Sequence, residues 1–516
     1  MRKNGTPDSS ESTGQPRTSN NPNAVKAVRT ALDQCPASNS APTAPSPNPW
    51  ADLLYDRLCD EPLPALIADD TITPAASLWT GSRLWVDAFR AHDLQPGDRL
   101  VLSLPPSTAF VQVLVAALWE QLTVVFAPPD TDADALLSPL DARAAVTVDG
   151  GAHAWASDEF AGPCTTPDTL RSPRQAPTPD VRFLLRTSGT HHGRWVALSD
   201  RNVLSVLASH LPHFALRNAR MLSVLPWTHA FGLVLDLLPA LLADAELIRD
   251  PDGGRNPDGL VSLRDAWGTT HLSAVPLTVQ RLLDQPAGRT LVRDLQGGIV
   301  GGAPVSAPLA ERLSDTALRA GYGQTEASPG ITLGARSEWT AHYLGRPVGC
   351  TVTIADDGEL LFEGPNACIG FWRDGSLERL DPTRTVHTGD LVERDDDGFI
   401  FRGRKDASFK LSNGRFVPAG PLETTLKTTY ATLRDVLIFT PDGDNVAVAL
   451  CPRSPTAEVP DLEALQTTLG SLGNRLVWST TVPPEAWQTQ PKGTVDRPAM
   501  NASLSEAYRS ATPSSP

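Results

Sequence analysis

The sequence predicts an α/β protein: a large multi-layer N-terminal body with a β-rich subdomain, then a small α+β C-terminal domain. Three observations predict it. Helix-like and strand-like segments alternate from residue 49, as in a mainly parallel sheet with covering helices. After about residue 345, Asp-Gly turns separate short apolar runs, which is hairpin chemistry. Beyond "GRKD", about 110 residues mix strands with a helix.

In chain order, "SLWTGSRLWVDAFRAH" (77–92) places Leu78, Leu84, Trp85, Ala88 and Phe89 on one helical face. "DRLVLSLPP" reads as a strand, "STAFVQVLVAALWEQ" as a helix and "LTVVFAP" as a strand, together a βαβ unit. "MLSVLPW" (221–227) and "LQGGIVGG" (295–302) read as further strands ending in turns, and ligands bind at the carboxyl ends of such strands. "CTVTIADDGELLFEG" and "LVERDDDGFIFRGR" read as hairpins. "DVLIFT" and "NVAVALCP" are strands of the small domain, and "DLEALQTTLGSL" is a helix. The first 48 residues are rich in Ser, Asn, Pro and Thr and lack an apolar run, so 1–48 is expected to be disordered and is not a secretory signal. The expected boundaries are a large domain over 49–405, a small mobile domain over 406–504 and a flexible tail over 505–516.

Among the 516 residues, 41% are hydrophobic and 20% charged, and the net charge is −15. That charge argues against a general nucleic-acid or anionic-membrane partner. The most apolar segment, "FVQVLVAALWEQLTVVFAP", contains Glu120 and Gln121, so a buried helix running into a strand is expected, with no membrane span and a cytoplasmic location. Six cysteines lie scattered without metal-ligand or redox spacing and read as reduced and structural.

Five stretches carry chemistry: "RTSGTHHGRWVALSDRN", "LPWTHAFGL", "GGAPVSAPL" with "GYGQTE" behind it, "HTGDL", and "GRKDASFKLSNGRFVP". In "GYGQTE", Tyr322 between two glycines can lie flat on a planar base, and Thr325 offers a hydroxyl to a phosphate. Glu326 offers a hard oxygen to Mg²⁺. "GGAP" lets backbone approach a flat ligand, because glycine has no Cβ. Asp390 in "HTGDL" can accept two hydroxyl donors, as a ribose diol presents. Thr187, Ser188, Gly189 and Thr190 form a turn able to wrap a phosphate with N–H groups and hydroxyls. The plain alternatives are glycine turns and solvated polar residues; His191 and His192 read as an ordinary solvated pair.

In order and spacing these motifs resemble the adenylate-forming superfamily: acyl-CoA synthetases, adenylation domains of peptide synthetases, and firefly luciferase. The resemblance covers about residues 75–500. It implies ATP, Mg²⁺ and a thiol partner, either CoA or the phosphopantetheine of an acyl carrier protein. It implies that Tyr322 and Gly323 border adenine, that Gly302, Ala303 and Pro304 lie along the adenine and the acyl pocket, and that Thr325 contacts the α-phosphate. Glu326 would hold the metal, Asp390 the ribose, and Arg404 a further part of the nucleotide. Asp406 corresponds to the hinge of the small domain, Gly414 to the glycine past which the thiol arm threads, and His229 to the border of the carboxylate substrate. No aspartate stands from Trp227 to Val234, the nearest being Asp236, which favours a small-molecule acid without an α-amino group. The pocket wall is expected from residues 229–233 and 297–303.

Two departures from the family pattern stand out. The phosphate loop is one residue short, with Arg194 at the family's lysine and Trp195 at a glycine. Arg194 can still bind phosphate, whereas the bulk of Trp195 is expected to stiffen the loop. Lys492 in "TQPKGTVDRP" lies two residues before the family's usual lysine position, held here by Thr494; it is either the catalytic lysine over the reacting carboxylate or merely solvated. Three functional readings follow: an acyl-CoA synthetase, a stand-alone acyl or aryl ligase loading a carrier protein, or a degenerate relative that binds without catalysis.

Overall fold

Segment 98–127 forms the βαβ unit in this computed structural model, with strands Arg99–Ser103 and Thr123–Phe126 parallel and helix Thr108–Trp119 between them. Ser107 caps that helix by accepting from the Phe110 N–H at 3.2 Å. From Phe110 to Trp119 only Gln112 escapes full burial, so it is a core helix, apolar all round. Glu120 at its end is buried but meets Arg90 at 2.6 Å and Arg174 at 3.0 Å. No helix among the described residues is long and apolar enough to cross a membrane. The structure describes residues 19–35, 48–59, 64–68, 71–150, 154–158, 173–174, 176–187, 194–396, 398–405, 407–412, 415–417, 419–489 and 495–511.

The chain divides into two compact units, Met1–Thr351 with Glu363–Thr385, and Val352–Phe362 with Val386–Pro516. In the first, an eight-stranded sheet runs in the order Ser376–Arg379, Gly370–Arg373, Trp195–Leu198, Phe183–Arg186, Thr123–Phe126, Arg99–Ser103, Ala142–Thr147, Ala154–Ala156. A second sheet has the order His271–Ser273, Arg220–Ser223, Glu246–Arg249, Pro64–Ala68, Thr71–Pro74. Backbone bridges from His271 to Gly297 and from Ala274 to Val300 lead on to Ile299–Gly301, with Arg319–Tyr322 parallel beside it. In the second unit, strands Leu433–Phe439, Val446–Pro452 and Leu476–Thr481 form a sheet with apolar clusters on both faces. This is the expected mixed α/β architecture, a large N-terminal body and a smaller C-terminal domain.

Three expected boundaries are corrected. Residues 19–35 are folded, not disordered: Asn21 caps helix Pro22–Gln34, and Ala24, Val28 and Ala31 bury one face. Alanine and valine at i, i+4 and i+7 are too few for an apolar run, yet they make a stripe. The tail is helical to Ala511, because helix Arg497–Ala511 buries Met500 and Leu504 on the sheet. The second unit takes Val386–Asp395 and Gly398–Arg404, which lie before 406. The first of these strands pairs with Glu359–Glu363, and Gly403 approaches Pro421 of helix Ala419–Thr429.

A buried ion pair of the body joins Arg182 to Asp200. The arginine is wholly buried and binds the carboxylate through Nε at 2.8 Å and Nη2 at 2.9 Å. Trp50 Nε1 donates to the same carboxylate at 2.6 Å, and Arg182 Nη1 to the Leu122 carbonyl at 3.2 Å. Removing one partner of a buried pair strands the other charge, at a cost of about 3–5 kcal/mol. Asp200→Ala is therefore expected to lower stability by about that amount in chemical denaturation, whereas swapping an exposed pair such as Arg373–Glu378 should change it little.

Asp236 is fully buried in the π-turn Leu233–Leu237, where Ser223 Oγ donates to Oδ2 and Oδ1 has no partner among the described residues. Burial pushes its carboxyl from 3.8 up to about 7. The folded state thus holds the proton more tightly than the unfolded state, and this contribution, complete below about pH 4, is lost as pH rises through 7. Asp236→Asn removes the titration. The stability of the parent should fall relative to this variant between about pH 4 and 7, as equilibrium unfolding at a series of pH values would show.

Candidate active site

The phosphate-loop candidate is a hairpin tip. Strands Phe183–Arg186 and Trp195–Leu198 pair antiparallel, with Arg186 opposite Trp195. Thr187 closes the tip twice: its N–H donates to the Arg194 carbonyl at 2.9 Å, and its hydroxyl accepts from the Arg194 N–H at 3.0 Å. Ser188, Gly189, Thr190, His191 and His192 lie outside the described residues. Trp195 is corrected from loop to strand. It pairs with Trp372 as well as Arg186 and packs on the apolar cluster around Val125, Leu184 and Ile369, so its bulk sits in the sheet.

The other wall comes from "GYGQTE". Strand Arg319–Tyr322 turns at Gly323, where an added Cβ would lie 1.4 Å from the Pro329 carbonyl oxygen, so only glycine fits. Thr325–Ala327 form a single helical turn. Its position is pinned by the Cys368 N–H on the Glu326 carbonyl at 2.8 Å, by Ser328 on the Asn366 carbonyl and by Asn366 on the Gly330 carbonyl. Glu326 therefore points from a fixed backbone. Its carboxylate meets Arg194 Nη2 at 3.2 Å, and the guanidinium lies 4.4 Å over the Phe371 ring. The structure thus brings together the expected phosphate ligand and the expected metal ligand. Arg194 is 54% exposed and Glu326 14%, so the pair is worth at most about 1 kcal/mol and opens cheaply.

Gly301 and Gly302 end the neighbouring strand, and Gly302 has φ +80°, which favours glycine. The Phe231 ring lies 3.6 Å from where a Cβ on Gly301 would stand and 4.0 Å from one on Gly302, so "HAFGL" meets the two glycines of "GGAP". Ala303 and Pro304 follow on the partly open side, and His229 is an exposed residue at the start of the turn Ala230–Gly232. Asp236 is spent in the core on Ser223.

The second unit holds Asp390 and Arg404, opposite each other across a hairpin, with Arg404 Nη1 3.0 Å from Asp390 Oδ1. Asp390 is buried, and its N–H donates to Thr388 Oγ1 at 3.1 Å. The turn before it is organised by Glu359, which the sequence reading missed. Glu359 accepts from the Gly389 N–H at 2.9 Å and pairs with Lys405 at 2.8 Å and with His387 Nδ1 at 3.0 Å. Burial raises its carboxyl, but these hydrogen bonds outweigh burial and hold it below its usual range. No local signal marks Glu359, since its partners come from strand pairing. Asp406, Gly414 and Lys492 lie outside the described residues.

Among the described residues no group of three His, Cys, Asp or Glu side chains forms a metal cluster. Glu326 alone suits Mg²⁺, which commonly takes one or two carboxylates and completes its shell with water and substrate phosphates. Gly302 is exposed and crowded by nothing nearer than 3.6 Å, so its bare backbone offers a place where a flat ligand could lie.

Comparison with known proteins agrees with this geometry. The family model described as AMP-binding enzyme matches residues 76–372. The feruloyl-CoA synthase of an Amycolatopsis species is 26% identical over 373 residues, covering 66% of this chain and 75% of that protein. The long-chain-fatty-acid–CoA ligase of Salmonella typhimurium is 28% identical over 245 residues, 43% of each chain. Among solved structures, ATP-bound MatB from Rhodopseudomonas palustris superposes with a TM-score of 0.76 at 19% identity, covering 89% of this chain and 99% of that one. At that identity the likeness shows the fold, and the family match spans more than half of the sequence. The chain belongs to the AMP-binding enzyme family.

Proposed function

We propose that this protein is an ATP-dependent acid–thiol ligase. A carboxylate oxygen attacks the α-phosphorus of ATP, the bond to the β-phosphate breaks, and pyrophosphate leaves with the bonding electrons. A thiolate then attacks the acyl carbon and AMP departs. The observation that carries this reading is the meeting of Arg194 and Glu326 at 3.2 Å. It joins the cation proposed for the phosphates to the carboxylate proposed for Mg²⁺. Catalysis of this kind is mainly positioning and charge stabilisation.

Within this reading, Tyr322 and Gly323 face adenine, Gly302, Ala303 and Pro304 lie along the adenine and the acyl pocket, and Thr325 binds the α-phosphate. Thr187, Ser188, Gly189, Thr190 and Arg194 hold the departing phosphates. Asp390 takes the ribose hydroxyls and Arg404 a further nucleotide contact. Mg²⁺ on Glu326 would offset the charge of the phosphates. Lys492 reaches the reacting carboxylate and His229 borders it. Asp406 is the hinge, and Gly414 borders the thiol arm. CoA is the favoured thiol, in line with the CoA-ligase relatives, and a carrier-protein phosphopantetheine is the second choice. The acid is a small molecule without an α-amino group, because Asp236 is engaged in the core, and the reaction belongs in the cytoplasm.

Pyrophosphate release with MgATP and a panel of free acids, without thiol, tests the reading. Acid-dependent release is expected, falling on the order of a hundredfold in Glu326→Ala. Silence across the panel with ATP still bound would point instead to a non-catalytic relative. Lys492→Ala should keep ATP binding in calorimetry and lose adenylation; undiminished adenylation would remove Lys492 from the site.

A further inference from the structure

Strands Ile299–Gly301 and Arg319–Tyr322 run in parallel register, Ile299 beside Arg319 and Gly301 beside Gly321. Alternate residues share a face, so Ile299 and Gly301 make one row and Arg319 and Gly321 the next. The Ile299 side chain covers Gly321, since a Cβ there would lie 2.4 Å from its Cγ2, and Phe231 covers Gly301. The same face thus leads from the "GGAP" and "GYGQTE" turns back along the strands. About 7 Å further on, two residues of strand, it opens into a pocket whose lining includes Leu235, Gly297, Ile299, His271, Arg319 and Arg336.

The pocket has an unusual charge pattern. Arg319 Nη1 donates to the Gly334 carbonyl at 3.0 Å, and among the described residues neither Arg319 nor Arg336 has a carboxylate partner. His271 is 3% exposed; its Nδ1 lies 3.0 Å from Thr270 Oγ1, and its Nε2 has no partner among the described residues. That ring edge occupies the space beside Gly297, where a Cβ would come within 2.8 Å of it. His213 also lines the pocket. Burial, and then Arg336, pushes His271 down to about 4; burial and Arg336 likewise lower Arg319, and burial and Arg319 lower His213. Each of these groups sits in the positive field of a neighbour, and no carboxylate stands among the residues lining the pocket.

We infer that the acid activated here carries a second carboxylate at its far end, received by Arg319 and Arg336. The inference rests on the activation reading above and specifies its substrate. A guanidinium fork binds a carboxylate by two parallel hydrogen bonds, about twice as strong as neutral ones. His271 Nε2 stands beside that group for a direct or water-bridged bond. The span from Tyr322 to Arg319, three residues of strand or about 10 Å, sets the length of the acid. The apolar surface of Phe231, Leu235 and Ile299 receives its middle.

The test pairs each dicarboxylate with its monocarboxylate, octanedioate against octanoate and an aryl pair of similar length. Pyrophosphate release and the acid-dependent rise in Tm are both read. The dicarboxylate should win by tenfold or more in kcat/KM, mostly through KM. That ratio should fall towards one in Arg319→Met and partly in Arg336→Met, the latter an exposed change that leaves folding undisturbed. Equal use of both acids, or a ratio indifferent to both substitutions, would overturn the inference while the ligase reading stands. If no acid releases pyrophosphate, the ligase reading fails. A Tm rise with octanedioate, lost in the arginine variants, would still support the pocket, and its absence would reject it too.

Discussion

The buried pair of Arg182 and Asp200 is the constraint on which the large unit depends. It ties four parts of the chain to one carboxylate or one guanidinium. Arg182 precedes the first strand of the phosphate-loop hairpin, Asp200 opens the helix after the second, Trp50 belongs to an early helix, and Leu122 leads into the βαβ strand. Ser199 and Asn202 extend the knot: they form a capping box, and Asn202 also donates to the Pro365 and Ala367 carbonyls. The segment 365–368 then holds the "GYGQTE" turn through Cys368 and Asn366. One desolvated ion pair therefore sets the spacing between the two walls of the candidate site.

The contrast with Arg194 and Glu326 is functional. Both are Arg–carboxylate pairs, but one is dry and the other open to water. Breaking the first costs several kcal/mol, and breaking the second costs at most about 1. On the proposed reading the site admits a nucleotide and its metal, which calls for a rigid base and a weak latch, and the two pairs have those properties. Phe371 gives the Arg194 guanidinium a second support, 4.4 Å below it.

Much of this was legible in the sequence where the chemistry is local. The βαβ unit, the two hairpins and the αβ character of the C-terminal domain follow from periodicity and Asp-Gly turns, and the structure has them. Gly323 was readable because its neighbours form a compact motif. What was illegible depends on distant pairing. Trp195 looked like a misplaced loop residue because its strand partner Trp372 lies far along the chain. Helix Pro22–Gln34 looked disordered because its apolar stripe consists of small residues. Glu359 and the pocket arginines carry no motif, and only register gives them meaning. The roles of Ser188, Gly189, Thr190, Asp406, Gly414 and Lys492 rest on family resemblance alone.

The central claim is that a carboxylate oxygen becomes bonded to the α-phosphorus. The most direct measurement follows isotopically labelled carboxylate oxygen through one full turnover with ATP and a thiol. If the chain forms acyl-adenylates, one labelled oxygen appears in AMP for each thioester made, and the pyrophosphate stays unlabelled. Label in inorganic phosphate with ADP as co-product, or thioester formation with unlabelled AMP, would contradict the claim.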